Sequence, residues 1–249
     1  MLRLNTAGRT IKAIGCRFRR RVAVIVAPGI VAARAAKAVT TTIPIVFYTG
    51  TDPAAAGLVA SLNRPGTNLT GSALLSVELM PKRLQLLREL IPGAVLFGVL
   101  GNSVDLQAAA RTLGLQLVVV NARTDSDLEA AFAEFSQQHV GAVFVGTSTL
   151  FARRTVQLAA LAARHALPAI YAYREYALAG GLMSYGSSLG YTYHQVGIYA
   201  GRILNGDKPA DLPVQQVTKI DLVINLKTAK ALGLTIPETL LATADEVIQ

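Results

Sequence analysis

The sequence predicts an α/β fold: two doubly wound parallel-sheet lobes, the first of them incomplete. Strand patterns alternate with helix patterns along the chain, which is typical of parallel sheets with right-handed crossovers. One strand–loop–helix pattern occurs twice, which indicates two similar lobes. The chain has 249 residues, of which 52% are hydrophobic and 16% charged, enough apolar material for two buried cores.

The clearest element begins at Ile43. The run from Ile43 to Phe47 is apolar and β-branched, as expected for a strand covered on both faces. Thr49, Gly50 and Thr51 end the run, and Asp52 with Pro53 predicts the cap and first position of a helix over 53–62. In open α/β sheets, ligands bind at the carboxyl ends of strands, so this loop is a candidate binding element.

The second copy of the pattern is LPAIYAYREYALAGGL, residues 167–182. Each copy follows another short apolar strand, 23–26 in the first case and 142–145 in the second, and a loop that contains glycine. Any two strand–helix–strand units share this outline, but a matched order over more than thirty residues favours two corresponding lobes.

The remaining elements are predicted from the periodicity of apolar residues and from the residues that typically begin and end helices. We predict strands at 21–26, 95–100, 115–120, 182–185 and 219–224. We predict helices at 31–39, 78–91, 104–113, 125–138, 191–204 and 226–232. A linker at 208–213 precedes the strand at 219–224. Thr124 or Asp125 is the expected cap of the 125–138 helix. Lobe 1 is assigned to 22–71 and 187–215, and lobe 2 to 72–186 and 216–249.

The repeat predicts a gap at the start of lobe 1. In lobe 2 the 142–145 strand follows two strand–helix units, whereas the 23–26 strand follows only residues 1–21, which show neither pattern. We therefore expect the first lobe to lack its two opening units, and the basic leader 1–21 to be disordered.

The net charge of +9 comes from that leader. Residues 1–21 hold seven Lys or Arg and no acid, and the remaining 228 residues hold 17 basic and 15 acidic groups. A nucleic-acid-binding face needs basic residues clustered on the folded part, so we expect no nucleic-acid partner. No apolar run is long enough to span a membrane.

An enzyme alternative comes from Gly186-Ser187-Ser188-Leu189-Gly190, which matches the G-x-S-x-G nucleophile elbow between a strand and a helix. An α/β serine hydrolase using Ser188 would need an acid and a histidine later in the chain, and the later histidine is His194, on the adjoining helix. The hydrolase is the less favoured hypothesis. We assign no catalytic residue.

No nucleotide-binding or metal-ligand motif is present, so no cofactor and no metal are expected. Instead, hydroxyl and aromatic side chains follow the predicted strands. Four tyrosines stand at such positions and indicate stacking on a planar or apolar ligand: Tyr48, Tyr171, Tyr173 and Tyr185.

Long strings of this chain resemble the substrate-binding proteins of ABC importers, specifically the family whose characterised members bind tryptophan and other aromatic amino acids. The strings are IPIVFYTGTDPAAAGLVASLNRPGTNLTG, KRLQLLRELIPGA, LPAIYAYREYALAGGLMSYG and PADLPVQQVTKIDLVINLKTAKALGLTIP, and the resemblance covers about residues 22–249. It implies a type I periplasmic-binding-protein fold, a small-molecule ligand in a cleft between two lobes, a membrane permease as partner and a periplasmic location.

The resemblance also implies the candidate ligand-binding residues: Pro28, Gly29, Thr49, Gly50, Thr51, Asp52, Asn102, Thr147, Ser148, Tyr173, Glu175, Ser184 and Tyr185. For an aromatic or branched-chain amino acid, the carboxylate would take helix-end N–H groups and the hydroxyl of Thr49 or Thr51. The ammonium would take Glu175. Relatives begin with a signal peptide and two more strand–helix units, and the loop at Asn102 is shorter here than in relatives.

Overall fold

The computed structural model describes residues 22–74, 76–101 and 106–249. Predictions for the leader 1–21 and for Asn102 lie outside the described residues. The chain divides into two compact units. Unit 1 contains the described residues 22–74 and the segment Leu189–Thr218, and unit 2 contains the segments Ser76–Ser188 and Lys219–Gln249.

Unit 1 is built on a parallel sheet with the strand order β1-β2-β3-β9. Its elements are β1 (Ile25–Pro28), α1 (Gly29–Val39), β2 (Ile45–Thr49), β3 (Leu69–Leu74), α8 (Leu189–Leu204), the 3-10 helix Pro209–Asp211 and β9 (Gln215–Val217).

Side chains of β2 alternate between two cores, as the two-residue period of a strand requires. Ile45 and Phe47 pack with Ala33 and Ala36 of α1. Val46 packs on the other face, in the cluster that α8 supplies. Burial on both faces explains why β2 is a continuous apolar run rather than an alternating one.

Gly71 marks a close approach of two backbones in this sheet. It lies in β3 opposite Phe47 of β2, and a Cβ added to it would stand 1.8 Å from the Phe47 carbonyl oxygen. Only glycine avoids that clash, so residue 71 fixes how tightly β2 and β3 pack.

Unit 2 is built on a larger sheet with the strand order β11-β10-β8-β7-β6-β4-β5. The strands are β4 (Leu96–Leu100), β5 (Gln116–Val120), β6 (Ala142–Val145), β7 (Ala169–Tyr171), β8 (Met183–Ser187), β10 (Ile220–Asn225) and β11 (Glu246–Ile248). The helices are α2 (Met80–Leu90), α3 (Leu106–Thr112), α4 (Asp125–Gln137), α5 (Thr149–Arg153), α6 (Thr155–Arg164), α7 (Arg174–Leu178), α9 (Leu226–Ala231) and α10 (Glu238–Thr243).

Pairing in this sheet is parallel except between β10 and β8, which run antiparallel. Helices cover both faces. One core lies under α2 and α3 and contains Phe97 and Phe144. The other lies under α4 and α6 and contains Phe132 and Tyr171.

Most predicted elements are present within a few residues of their expected bounds. The α/β class and the parallel sheets are confirmed. Thr124 caps α4 as predicted: its hydroxyl accepts from the Asp127 N–H, and the Asp127 carboxylate accepts from the Thr124 N–H in return. No helix of the described residues is long and apolar enough to cross a membrane.

The helix predicted over 53–62 is wrong. Asp52 does accept from the Ala54 N–H at 2.8 Å, as a cap would. One turn follows, and it ends at Gly57, whose φ of 71° lies in the left-handed region. Leu58 is then fully buried in the core, so packing of this short segment outweighs further helix growth.

Candidate functional site

The candidate residues of unit 1 gather at one edge of its sheet. Pro28 ends β1 and precedes Gly29, the first residue of α1. Pro28 is in register with Tyr48 of β2, so the loop after β2 begins beside the end of β1. This is the carboxyl edge, where α/β sheets bind ligands.

The hydroxyl groups of this loop are bonded to one another. The Thr49 hydroxyl lies 2.9 Å from that of Thr51 and accepts from the Thr51 N–H at 3.2 Å. Thr49 is buried, and Asp52 already accepts from the N–H groups of Ala54 and Ala55. The loop therefore satisfies much of its own hydrogen bonding and has a defined shape.

Helix α1 holds the turn that follows. Lys37 donates to the carbonyl oxygens of Gly57 at 2.6 Å and Leu58 at 3.1 Å, and Arg34 donates to that of Ala56 at 3.1 Å. These carbonyls would otherwise lack partners, because no helix continues past Gly57. Lys37 and Arg34 of α1 thus supply hydrogen bonds to carbonyl groups that a longer helix would have bonded within its own backbone.

An aromatic pair stands beside this loop. The rings of Tyr48 and Tyr193 meet edge to face with centroids 5.4 Å apart, and their hydroxyl oxygens are 3.4 Å apart. Tyr193 is 53% exposed on α8. The sequence analysis did not single out Tyr193, and its long separation from Tyr48 along the chain explains why.

The candidate residues of unit 2 divide into two groups. Thr147 and Ser148 follow β6, and Tyr173 and Glu175 follow β7, the neighbouring strand, so these four lie at one carboxyl edge. Ser148 caps α5 by accepting from the Phe151 N–H. Thr147, Ser148 and Glu175 are exposed, and Tyr173 is half-buried.

Ser184 and Tyr185 lie within β8 rather than in a loop. Ser184 is 1% exposed and pairs with Tyr171 of β7. Tyr185, the next residue, points to the opposite face. There it lines a depression of about 410 Å³ with Lys82, Leu86 and Leu222.

Tyr171 is a core residue. It is fully buried, and its ring stacks on that of Tyr176, with centroids 4.6 Å apart and 9° between the planes. Burial raises the pKa of the Tyr171 hydroxyl above its ordinary value. Its expected role in stacking on a ligand is therefore wrong: the ring is already covered on the inside of the unit.

Arg83 is a buried cation that the sequence analysis missed. It lies on α2, is 1% exposed, and donates through Nη2 to the Ser76 carbonyl. Its guanidinium lies over the Phe144 ring, 5.3 Å from the centroid. A signal existed, because residues 83, 87 and 90 share the buried stripe of α2, where Arg83 is the charged member.

The described residues contain no group of three or more His, Cys, Asp or Glu that could hold a metal ion. Of the histidines, His165 binds the Ser136 hydroxyl at 2.8 Å through Nδ1, and His194 is exposed on α8. Neither observation gives Ser188 the base that a serine hydrolase requires.

Comparison with known proteins decides the family. The family model described as ABC transporter substrate binding protein matches residues 10–248. This chain belongs to that family. The match confirms the resemblance drawn from the sequence and gives no support to the hydrolase alternative.

A curated relative, the tyrosine-binding protein of Clostridioides difficile strain R20291, is 28% identical over 216 residues. The match takes in 81% of this chain, and the chain spans 60% of the length of that relative.

Three solved structures show the same fold. A conserved domain protein from Vibrio cholerae has a TM-score of 0.83 at 28% identity, covering 97% of this chain and 84% of that one. An ABC domain from Streptococcus pneumoniae, solved in complex with L-Trp, has a TM-score of 0.81 at 24% identity, covering 97% and 86%. A ligand-free, open substrate-binding protein from Clostridium difficile has a TM-score of 0.60 at 26% identity, covering 98% and 84%.

Proposed function

We propose that this chain binds an aromatic amino acid, with tyrosine as the first candidate, and delivers it to the membrane permease of an ABC importer. The observation that carries the choice of solute is the Tyr48–Tyr193 pair, whose Tyr193 ring is exposed, together with the tyrosine-binding relative. We place the protein outside the cytoplasm, in the periplasm, in keeping with its family.

The aromatic pair supports an aromatic solute for an energetic reason. Edge-to-face and stacked ring contacts contribute roughly 0.5–1.5 kcal/mol beyond the area that they bury. Tyr193 is more than half exposed, so ring surface remains for a ligand to cover. The hydroxyl groups of the pair can also accept or donate a hydrogen bond to a polar ring substituent.

The ligand-binding residues proposed for this function are those at the two carboxyl edges. In unit 1 they are Pro28, Gly29, Gly50, Thr51 and Asp52, with Tyr48 and Tyr193 added. In unit 2 they are Thr147, Ser148, Tyr173 and Glu175, with Glu175 as the partner of the solute ammonium. Each group lies where its own sheet ends, which is the usual binding edge of an α/β sheet.

The test is calorimetric titration and thermal unfolding of the 249-residue chain with L-tyrosine, L-tryptophan, L-leucine and myo-inositol. We expect the two aromatic amino acids to bind, and a concentration one hundred times Kd to stabilise the fold by about 2.7 kcal/mol. Binding of leucine or inositol without binding of either aromatic amino acid would contradict the proposed solute class.

A matched pair of variants locates the site. Tyr193→Ala should weaken tyrosine binding roughly 3–10-fold, as loss of one aromatic contact predicts. Tyr191→Ala is the control, because Tyr191 is also exposed on α8 but lies about 200° around the helix. Equal affinities for the two variants would rule out the Tyr48–Tyr193 pair as part of the site.

A further inference from the structure

We propose that Arg83 binds the carboxylate of the solute, at the carboxyl edge of the unit 2 sheet. The proposal rests on the proposed function, because it names the residue that recognises the charged end of an amino acid. It assigns the carboxylate to Arg83 in place of the Thr49 or Thr51 hydroxyl that the sequence analysis suggested.

The guanidinium of Arg83 is incompletely hydrogen-bonded. Arg83 is 1% exposed, yet Nε and Nη1 have no hydrogen-bond partner among the described residues, and the Ser76 carbonyl accepts from Nη2. Buried charged groups are ordinarily paired and hydrogen-bonded. Two unpartnered nitrogens on one buried guanidinium therefore indicate a ligand that supplies acceptors.

The positive charge of Arg83 has no carboxylate partner among the described residues. In the part of the chain that the structure describes, no carboxylate lies within ion-pair distance of Arg83. Burial lowers the pKa of Arg83 to about 10, so the side chain remains a cation at neutral pH. The Phe144 ring offsets the cost of burying this charge only weakly, because a cation–π contact is weaker than a buried ion pair.

The guanidinium lies near the carboxyl end of β6. Phe144, beneath the guanidinium, is the penultimate residue of β6, and Ser76 lies just before α2. Tyr173, in the loop after β7, is close enough to interact electrostatically with the guanidinium. Arg83 therefore lies beside the loops that carry Ser148 and Tyr173, which are candidate residues on independent grounds.

The chemistry selects a carboxylate. A guanidinium is planar and offers parallel N–H donors that match the two oxygens of a carboxylate. Because the group is covered in this structure, a side chain beside it has to move when the ligand binds. Tyr173, which is half-buried in its loop, is the neighbour placed to do so.

The experiment uses three probes that differ at one end. L-tyrosine has a carboxylate and an ammonium, L-tyrosinamide lacks the carboxylate, and 3-(4-hydroxyphenyl)propionate lacks the ammonium. For the unmutated chain we expect the amide to bind roughly 10–100-fold more weakly than tyrosine, since it cannot pair with the buried cation. Equal binding of tyrosine and its amide would overturn the proposal.

Three variants assign the effect to Arg83. Arg83→Met should abolish the preference for the acid over the amide, and Arg83→Lys should keep part of it. Arg111→Met, at an exposed arginine of α3, is the matched control and should keep the full preference. An unchanged preference in Arg83→Met would refute the assignment.

A readout on the unmutated chain covers the case in which the variants do not fold. The NMR signal of the Arg83 Nε–H should shift with tyrosine and with the propionate, but not with the amide. If no amino acid binds, the proposed function fails, and sodium acetate then tests the inference alone. A shift of that signal with acetate would support an anion site at Arg83, and no shift would overturn it.

Discussion

In unit 1 the polar side chains that follow the strands bond to one another, whereas in unit 2 several buried polar side-chain atoms have no hydrogen-bond partner among the described residues. Thr49 and Thr51 share their hydroxyl groups. By contrast, every unpartnered buried side-chain atom found among the described residues belongs to unit 2, on Arg83, Tyr171, Ser184 and Ser187. The comparison indicates that unit 1 presents a preformed loop, whereas unit 2 holds donors that a ligand could satisfy.

The two units also differ in their sheets. Unit 1 has four strands that all run parallel, and unit 2 has seven, of which β10 runs antiparallel to β8. Each sheet contains one glycine at which a second backbone comes very close: Gly71 in unit 1 and Gly186 in unit 2.

The largest effect is expected at those glycines. An added Cβ would stand 1.8 Å from the Phe47 carbonyl oxygen at Gly71, and 2.1 Å from the Ala172 carbonyl oxygen at Gly186. A backbone carbonyl, unlike a side chain, cannot rotate away from the added Cβ. Gly71→Ala and Gly186→Ala should therefore each lower the free energy of unfolding by about 1–3 kcal/mol or more. Urea denaturation measures the loss.

Hydrogen exchange then shows which unit weakens. Gly71→Ala should reduce protection mainly in 22–74 and 189–218, and Gly186→Ala mainly in unit 2. Gly93→Ala is the control, because no atom lies within 4 Å of the added Cβ. A Gly71→Ala chain as stable as the Gly93→Ala chain would refute the close-approach argument.

Removing a buried hydroxyl should change the free energy of unfolding in opposite directions in the two units. Tyr171→Phe removes a buried hydroxyl that has no partner, and should raise the free energy of unfolding by about 1–2 kcal/mol. Thr49→Val removes a hydroxyl that has two partners, and should lower it by about 1 kcal/mol. Thermal and urea unfolding measure both. If both variants changed the free energy of unfolding in the same direction, the contrast between partnered hydroxyls in unit 1 and unpartnered ones in unit 2 would be refuted.

The third and smallest effect concerns helix N-termini. Helix α4 of unit 2 begins with a reciprocal cap between Thr124 and Asp127, whereas α1 of unit 1 has no side-chain hydrogen bond at its cap. Thr124→Ala should therefore cost about 1 kcal/mol of stability at neutral pH.

The pH dependence follows from Asp127. Hydrogen bonds from the N–H of Arg123 and from Thr124 hold the pKa of Asp127 below its ordinary value. Its stabilising contribution is complete above the unfolded-state pKa of about 4, and is lost as the pH falls through the lower folded-state value. The stability difference between the parent chain and Asp127→Asn should be constant from pH 7 to about 5 and shrink below about 4. A constant difference down to pH 3 would contradict this account.

Much of the fold was predictable because its signals are local. The apolar run of β2 and the cap of α4 depend on residues that are neighbours along the chain. The strand was predicted, and the cap was predicted at Thr124 or Asp125, of which the structure shows Thr124. The same holds for the alternation of strands and helices. Local signals failed at 53–62, where Gly57 and the burial of Leu58 limit a predicted helix to one turn.

The candidate site was predictable only in outline. Sequence position placed Thr49, Ser148 and Tyr173 correctly at strand ends, because the end of an apolar run is visible in the sequence. It could not place Tyr193 against Tyr48, which is 145 residues away along the chain. Nor could it separate Tyr171, a core residue, from Tyr173, which lies in a loop two positions later.

The sequence by itself determined the alternation of strands and helices, the burial of both faces of β2 and the family, since these follow from periodicity and from long matching strings. The tertiary structure alone decided the antiparallel pairing of β10 with β8 and the contact of Tyr48 with Tyr193. It also decided that Arg83 is buried over Phe144 with two nitrogens unpartnered. The physical reason is that strand pairing, ring contacts and desolvation depend on residues that folding brings together from distant parts of the chain.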